Sequence, residues 1–291
     1  MSYSVHYYTI ITKEYVSIAN FGLQTFKKFS DIELNVYILD DCKPKLNYDK
    51  VNYIPLAKSI VLDNFNDQYI SSHTINCAIQ MLQILDKEYD ILVRIDLDSI
   101  FYCNIVDLVN FSITNQVGFL GSAEYWNDVP RPGYLNCGIS VINKHYLPKI
   151  SFVEEFTNFY NPEIHTCPEQ DYLNTLPNKQ SYPGMVTMSS NQIAFIASTD
   201  FTIIHLNGKY TKPFVKLYQF TELIFCFIDV VYRLAKNTEF IDIITENKKF
   251  LYTEFKKLPI DKQIKLLKFR SKVVEKSNML WSMRLQLYRH G

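Results

Sequence analysis

The most constraining feature of this chain is a run of branched apolar residues that ends in two acidic side chains. The run is ILVRI at residues 91–95, and Asp96 and Asp98 follow it. A short apolar run bounded by polar residues is typical of a buried β-strand. Side chains two positions apart on an extended backbone point the same way, so both carboxylates can share one cation. The pattern predicts a buried strand with a ligand site at its carboxyl end.

Strand and helix patterns alternate on both sides of this run. Earlier in the chain, β-branched and aromatic residues predict strands at 5–11, 34–41 and 51–56, and helical periodicity predicts helices near 15–26 and 72–85. Later segments follow the same logic, with strands at 117–126, 135–143, 194–198 and 201–208, a Pro-rich loop at 128–134 and a helix start at 167–174. This alternation predicts an α/β fold with a mixed, mostly parallel sheet flanked by helices.

Charge is uneven along the 291 residues, although 30 basic and 30 acidic side chains cancel. From Thr245 to Gly291 there are twelve Lys and Arg against four Asp and Glu. The pattern beyond residue 214 is helical and increasingly basic. We therefore expect a catalytic domain at 1–214 and a helical, basic C-terminal extension at 215–291.

The cysteine pattern and the amino-terminal sequence indicate the cellular compartment. Six cysteines are scattered without a Cys-x-x-Cys pair, which predicts neither a zinc site nor a disulfide framework. The opening MSYSVHYYTIIT lacks the basic and apolar regions of a secretory signal. We expect a cytoplasmic protein. The basic tail, with Trp281 and Phe269, is either a peripheral contact with the inner membrane face or an amphipathic helix packed on the domain.

Four further segments resemble the motifs of a known enzyme family. In chain order they are TIITKEYVSIA (9–19), YLNCGISVINK (134–144), CPEQDYLN (167–174) and IIHLNGKYTKPF (203–214). With IDLDSIF, the series resembles glycosyltransferase family 8, retaining enzymes that include bacterial lipopolysaccharide galactosyl- and glucosyltransferases and glycogenin. The resemblance extends from the N-terminus to about residue 214. It implies a Rossmann-like GT-A fold, the nucleotide-diphospho-sugar transferase architecture.

The resemblance also implies roles for individual residues. Asp96, Asp98 and His205 would be the metal ligands, with Mn²⁺ or Mg²⁺ as the cofactor. Gln170 would face the reacting sugar, and Asp171 would contact a hydroxyl or stabilise charge there. The other matched positions would contact the nucleotide and the donor sugar, and they are Thr9, Ile10, Thr12, Tyr15, Asp96, Leu97, Asn136, Cys137, Glu169, Gly208 and Lys212. Among these, Gly208 allows close backbone approach to phosphate and Lys212 can neutralise it.

The chain departs from the family pattern at several positions. Thr12 stands where the family has an aspartate that holds the base, and Phe214 replaces a tryptophan. Gly208 and Lys212 have three residues between them instead of two, which makes Lys209 an alternative phosphate contact. The helix near 72–85 lacks the arginine that touches the donor sugar in the family, and its polar residues are His73, Asn76, Gln80 and Gln83. Because of these departures, the resemblance does not identify the donor sugar.

The function implied is hexose transfer, of galactose or glucose, from a UDP-sugar to an acceptor hydroxyl with retention of configuration. The acceptor would be a glycan such as lipopolysaccharide, a lipid-linked sugar or a protein, and nucleic acid is not an expected partner. A second interpretation is a haloacid-dehalogenase-like phosphatase, which pairs Asp-x-Asp with magnesium. That family places threonine where this chain has Ile100. A third is a degenerate transferase that acts as a non-catalytic scaffold, which the change at Thr12 and the missing arginine would allow.

Overall fold

The computed structural model describes residues 2–12, 15–38, 44–56, 72–126, 129–161, 164–165, 167–187, 202–205, 256–257, 259–261 and 263–264. Strands and helices alternate through the first half of this part of the chain, as the sequence predicts. The strands are β1 (Val5–Ile11), β2 (Leu34–Ile38), β3 (Val51–Pro55), β4 (Ile91–Ile95), β5 (Ser99–Phe101), β6 (Phe119–Trp126), β7 (Val129–Asn143), β8 (Lys179–Thr187) and β9 (Ile203–His205). The helices are α1 (Val16–Phe29), α2 (Ser72–Leu85), α3 (Val106–Thr114), α4 (Phe152–Phe159) and α5 (Pro168–Leu173).

The nine strands form one sheet in the order β3-β2-β1-β4-β7-β6-β8-β9-β5. Five neighbouring pairs are parallel, namely β1 with β2, β1 with β4, β2 with β3, β6 with β8 and β8 with β9. Strand β7 runs antiparallel to both β4 and β6, and β5 runs antiparallel to β9. The predicted mixed, mostly parallel sheet is therefore confirmed.

Two apolar cores cover the two faces of the sheet, and β4 shows how the sequence builds both. Val93 and Ile95 point into the first core, which buries apolar residues of α1 and α3. Leu92 points into the second core, which buries apolar residues of α2, α4 and α5. Alternate side chains of a strand point to opposite faces. A strand buried on both faces therefore has to be apolar throughout, and β4 departs from this rule only at Arg94.

The predicted loop at 128–134 is wrong, because β7 already begins at Val129. Pro and Gly favour turns, yet Val129 and Pro130 pair with the end of β6 in a hairpin that carries two register shifts. Strand β4 pairs only with residues 139–143 of β7, so the proline end of β7 has no partner there. A proline is tolerated where its missing N–H faces no neighbouring strand.

Several elements were not predicted from the sequence, and some predictions cannot be compared. Helices α3 and α4 are short, and strand β8 contains Pro183 and Gly184, so their patterns did not separate them from loops. Some predicted features lie outside the described residues. They are the strand at 194–198, Gly208, Lys212 and nearly all of the extension at 215–291. Within the described part of the chain, no helix combines the length and apolarity that crossing a membrane requires.

Candidate functional site

The acidic pair lies in the turn after β4, at the carboxyl edge of the parallel strands. The Asp96 N–H donates to the Gly138 carbonyl of β7 at 2.8 Å, which anchors the start of the turn. Leu97 points the other way and is buried in the first core. Helix α1 presses on this turn at Gly22, where a Cβ atom would lie 1.9 Å from the Leu97 carbonyl oxygen. The turn is therefore held by the neighbouring strand β7 and by helix α1.

His205 reaches the acidic pair through sheet pairing. Strand β5 directly follows Asp98 and pairs antiparallel with β9, which sets Ser99 opposite His205. The His205 Nε2 atom lies 3.3 Å from Asp98 Oδ1 and 3.9 Å from Asp96 Oδ2. Gly138 makes room for the ring, since a Cβ atom there would lie 2.1 Å from Cε1 of His205. The close neighbour of Gly138 is therefore this imidazole.

The three side chains form a group that fits a cation. Their ligand atoms all lie within 4.8 Å of one another. Asp98 is 2% exposed, and its Oδ2 atom accepts a 2.7 Å hydrogen bond from the Tyr15 hydroxyl. Its Oδ1 atom is buried, and the 3.3 Å contact with His205 Nε2 gives it no described hydrogen bond of good geometry. A buried carboxylate oxygen without a donor is costly, and a cation would satisfy it.

The donor set agrees with the predicted ion type. Two carboxylates and one imidazole offer hard oxygen ligands and a single nitrogen, and divalent ions such as Mn²⁺ or Mg²⁺ complete their shells with water or phosphate oxygens. The structure thus brings together Asp96, Asp98 and His205. Metal binding by them stays a prediction.

The charged side chains around the acidic pair strongly affect one another's pKa values. Arg94 holds Asp96 with two hydrogen bonds, from Nε to Oδ1 at 2.9 Å and from a terminal nitrogen to Oδ2 at 3.0 Å. Burial raises the pKa of Asp96, and Asp98 raises it further, while Arg94 works against both. Burial lowers the pKa of His205, but the charges of Asp98 and Asp96 outweigh it and the net shift is upward.

A second group of polar side chains lies where α5 meets β7. The Gln170 Oε1 atom accepts from the Cys137 N–H at 3.2 Å, and its Nε2 atom donates to Glu124 Oε2 at 3.2 Å. The Asn136 Oδ1 atom accepts from the Gly138 N–H at 2.9 Å. Gln170, Asn136 and Cys137 are all buried. This group is linked to the acidic pair through Gly138, which bonds to both.

The acidic residues of α5 have different surroundings. Asp171 accepts hydrogen bonds from the Tyr134 hydroxyl and, at 3.3 Å, from the Cys167 N–H. The Oε2 atom of Glu169 is buried and accepts no hydrogen bond within the described part of the chain. Burial raises the pKa of Glu169, and the positive charge of Arg94 opposes that rise. Asp171 is thus tied to β7 and to the start of α5, whereas one oxygen of Glu169 has no described donor.

The predicted nucleotide-binding residues of the N-terminal segment lie at the carboxyl end of β1. Thr9 is buried, and Ile10 and Thr12 are partly exposed. The Thr12 carbonyl accepts from the Tyr15 N–H at 3.0 Å. Because the Tyr15 hydroxyl donates to Asp98, this aromatic ring is directly joined to the predicted metal site. Its stacking on a base stays a prediction.

Sequence reasoning missed three residues of this region, namely Arg94, Glu124 and Gly22. Arg94 had a readable signal, because an arginine inside an apolar strand requires a partner and Asp96 follows it on the same face. Glu124 and Gly22 carried no such signal. Their roles depend on contacts with Gln170 and with the Leu97 carbonyl, which are distant in sequence.

Comparison with known proteins identifies the fold and not a family. The sequence matches no protein-family model, and no curated protein sequence matches it. Among solved structures, the galactosyltransferase LgtC in complex with donor and acceptor sugar analogs is 13% identical with a TM-score of 0.52, over 82% of this chain and 99% of LgtC. An active-site mutant of LgtC is 13% identical with a TM-score of 0.51, over 75% of this chain and 94% of that one.

A third similar structure is the apo form of the glycosyltransferase GlyE of Streptococcus pneumoniae TIGR4. It is 13% identical with a TM-score of 0.50, over 84% of this chain and 63% of GlyE. At such identities the likeness concerns the fold alone. Together with the mixed sheet and the acidic pair at its carboxyl edge, these similarities show that the chain has the GT-A fold of glycosyltransferases.

Proposed function

We propose that this chain is a metal-dependent glycosyltransferase that moves a hexose, galactose or glucose, from a UDP-sugar to an acceptor hydroxyl. The observation that carries the proposal is the group of Asp96, Asp98 and His205 at the carboxyl edge of a GT-A sheet. A structural neighbour with the same fold was solved with donor and acceptor sugar analogs. The acceptor we propose is a glycan or lipopolysaccharide, with a lipid-linked sugar or a protein as further candidates.

The residues around the acidic pair are suited to the departure of a diphosphate. When bound, a divalent ion would act as a Lewis acid on the phosphate oxygens of the leaving group. Asp96, Asp98 and His205 would hold that ion, and Tyr15 fixes the orientation of Asp98. Gly208 and Lys212 are proposed to contact the phosphates from the segment that follows β9.

The environment of Gln170 supports retention by a front-side route. Its carbonyl oxygen already accepts from the Cys137 N–H, and its amide nitrogen donates to Glu124. An amide oxygen is a weak nucleophile, and one engaged by a backbone donor is weaker still. We propose that Gln170 faces the reacting sugar while Asn136 and Glu169 contact the sugar, and that Asp171, held by Tyr134 and Cys167, contacts a hydroxyl or stabilises charge there.

The test is a screen of nucleotide sugars for Mn²⁺-dependent hydrolysis by the full chain. We expect turnover of one UDP-hexose, and a loss of about 100-fold or more in Asp96→Asn and Asp98→Asn, because each variant removes a charged ligand. Asp31→Asn is the matched control. Asp31 is an exposed aspartate whose Oδ1 atom lies 2.6 Å from Lys50 Nζ.

Three results would contradict the proposal. Equal turnover in Asp96→Asn and in wild type would exclude a metal role for the pair. Hydrolysis of a simple phosphate ester without release of sugar from UDP-hexoses would favour the phosphatase interpretation. Absence of both Mn²⁺ binding and nucleotide binding would favour a non-catalytic scaffold.

A further inference from the structure

Arg94 is a charged residue near the carboxyl end of β4, whose other four residues are all buried. It pairs with Tyr8 of β1 on one side and with Ser140 of β7 on the other. Its side chain is 16% exposed and that of Asp96 is 19% exposed. A terminal nitrogen of Arg94 also contacts the sulfur of Met81 at 2.6 Å. The guanidinium is thus enclosed by the sheet and α2, and it opens toward the acidic pair.

The contacts of Arg94 make it part of the charge balance of the predicted metal site. It forms a two-point ion pair with Asp96, in which each carboxylate oxygen accepts one hydrogen bond. A guanidinium is not deprotonated in proteins, so Arg94 brings a permanent positive charge to the site. Two carboxylates that share one small site repel each other when no cation lies between them. Arg94 offsets half of their charge.

We propose that Arg94 is the internal counter-ion of this site. It holds Asp96 in its ligating position before a cation arrives, and its positive charge opposes the binding of a divalent cation alone. The cation then binds tightly only together with an anionic ligand that both positive groups can share. The identity of that ligand as a nucleoside diphosphate rests on the proposed function, whereas the effect of Arg94 on the cation does not.

Removal of the positive charge of Arg94 should increase the affinity of the site for a cation. At an effective dielectric constant near 20, unit charges a few ångströms apart interact by several kcal/mol. Removal of the guanidinium therefore leaves Asp96 and Asp98 free to attract a cation more strongly. A variant that had merely lost its structure could not show tighter binding, so a gain separates this role from a packing role.

The experiment is calorimetric titration of the full chain with Mn²⁺, first alone and then with saturating UDP. The variants are Arg94→Met and Arg94→Gln, which remove the charge, and Arg94→Lys, which keeps it. Without UDP, we expect Mn²⁺ to bind both neutral variants at least about tenfold more tightly than wild type, and Arg94→Lys within about threefold of wild type. UDP should strengthen Mn²⁺ binding more in wild type than in the neutral variants.

Lys50→Met is the control for loss of one positive charge, because Lys50 pairs with Asp31 at the opposite, amino edge of the sheet. It should leave the Mn²⁺ affinity unchanged. If a neutral variant is too unstable for calorimetry, thermal unfolding replaces it, and Mn²⁺ should raise its Tm by more than it raises that of wild type.

Equal or weaker Mn²⁺ binding in both neutral variants would overturn the proposal, as would absence of Mn²⁺ binding in every variant with and without UDP. The proposed transferase activity has a separate readout. If wild type hydrolyses no nucleotide sugar but the neutral variants gain Mn²⁺ affinity, the transferase proposal fails and the counter-ion stands. If wild type hydrolyses a UDP-hexose but the neutral variants do not gain Mn²⁺ affinity, the counter-ion proposal fails and the transferase proposal stands.

Discussion

The contact between Gly138 and His205 gives the most direct test of how the site is built. In Gly138→Ala, the new Cβ atom would lie 2.1 Å from Cε1 and 2.5 Å from Nε2 of His205. Ordinary carbon contacts lie near 3.5 Å, so the ring has to move by about 1.4 Å. Because His205 is only 3% exposed, it has little room to do so. Overpacking of this kind destabilises a fold by about 1–3 kcal/mol.

The same displacement should disrupt the predicted metal site. It would move Nε2 from its position 3.3 Å from Asp98 Oδ1, and we expect Mn²⁺ affinity to fall by about 10-fold to 100-fold. Urea unfolding measures the stability, and calorimetry with Mn²⁺ and UDP measures the affinity. His205→Ala should relieve the clash, so the double variant should be less destabilised than the sum of the two single variants.

Gly133→Ala is the matched control for this prediction. Gly133 lies on the same strand at a φ of 74°, where alanine is strained, but a Cβ atom there would have no described atom within 4 Å. It should lose stability and keep its Mn²⁺ affinity. Unchanged Mn²⁺ affinity in Gly138→Ala, or additive stability losses with His205→Ala, would refute the reasoning.

Two further predictions concern stability away from the acidic pair. Asn174→Ala should lower the free energy of unfolding in urea by about 2–3 kcal/mol, because the Asn174 side chain accepts from the Leu135 N–H and donates to the Leu135 carbonyl, each at 2.7 Å. The control is Asn115→Ala, at an exposed residue that donates to the Phe111 carbonyl, and it should lower that free energy by less than about 1 kcal/mol. Burial, aided by the charge of Lys87, lowers the pKa of His6 from 6.5 to about 4. As the pH falls, His6 is protonated in the unfolded chain before it is protonated in the folded chain. The contribution of neutral His6 to the free energy of unfolding is therefore fully present above pH 6.5 and is lost as the pH falls toward 4. With discount for solvent screening we expect a loss of about 1–2 kcal/mol, which His6→Gln should abolish.

The sequence was most informative where local pattern and chemistry coincide. The apolar run before Asp96 and the spacing of Asp98 predicted a buried strand with two carboxylates at its end, and both features are present. The α/β class followed from strands and helices that alternate in the first half of the chain, and those elements were found close to their predicted bounds.

Other features could not be read from local pattern because they depend on partners distant in sequence. Strand β9 lies within the strand predicted at 201–208, but β5 has only three residues, and the pairing of β5 with β9 that places His205 beside Asp98 has no local signature. The course of β7 through its prolines depends on where β4 stops pairing with it. The contact between Gln170 and Glu124 joins a short helix to β6 and likewise has no local signature.

The three-residue strand β9 has a consequence for how the site and the fold depend on each other. Asp96 and Asp98 are neighbours in sequence, but His205 joins them only after a pairing that closes a loop of about a hundred residues. Pairing between strands so far apart in sequence is slow to form. Any change that frays β9 should therefore appear first as weakened cation binding. A bound cation, in turn, would act as a non-covalent cross-link that secures the far end of the sheet.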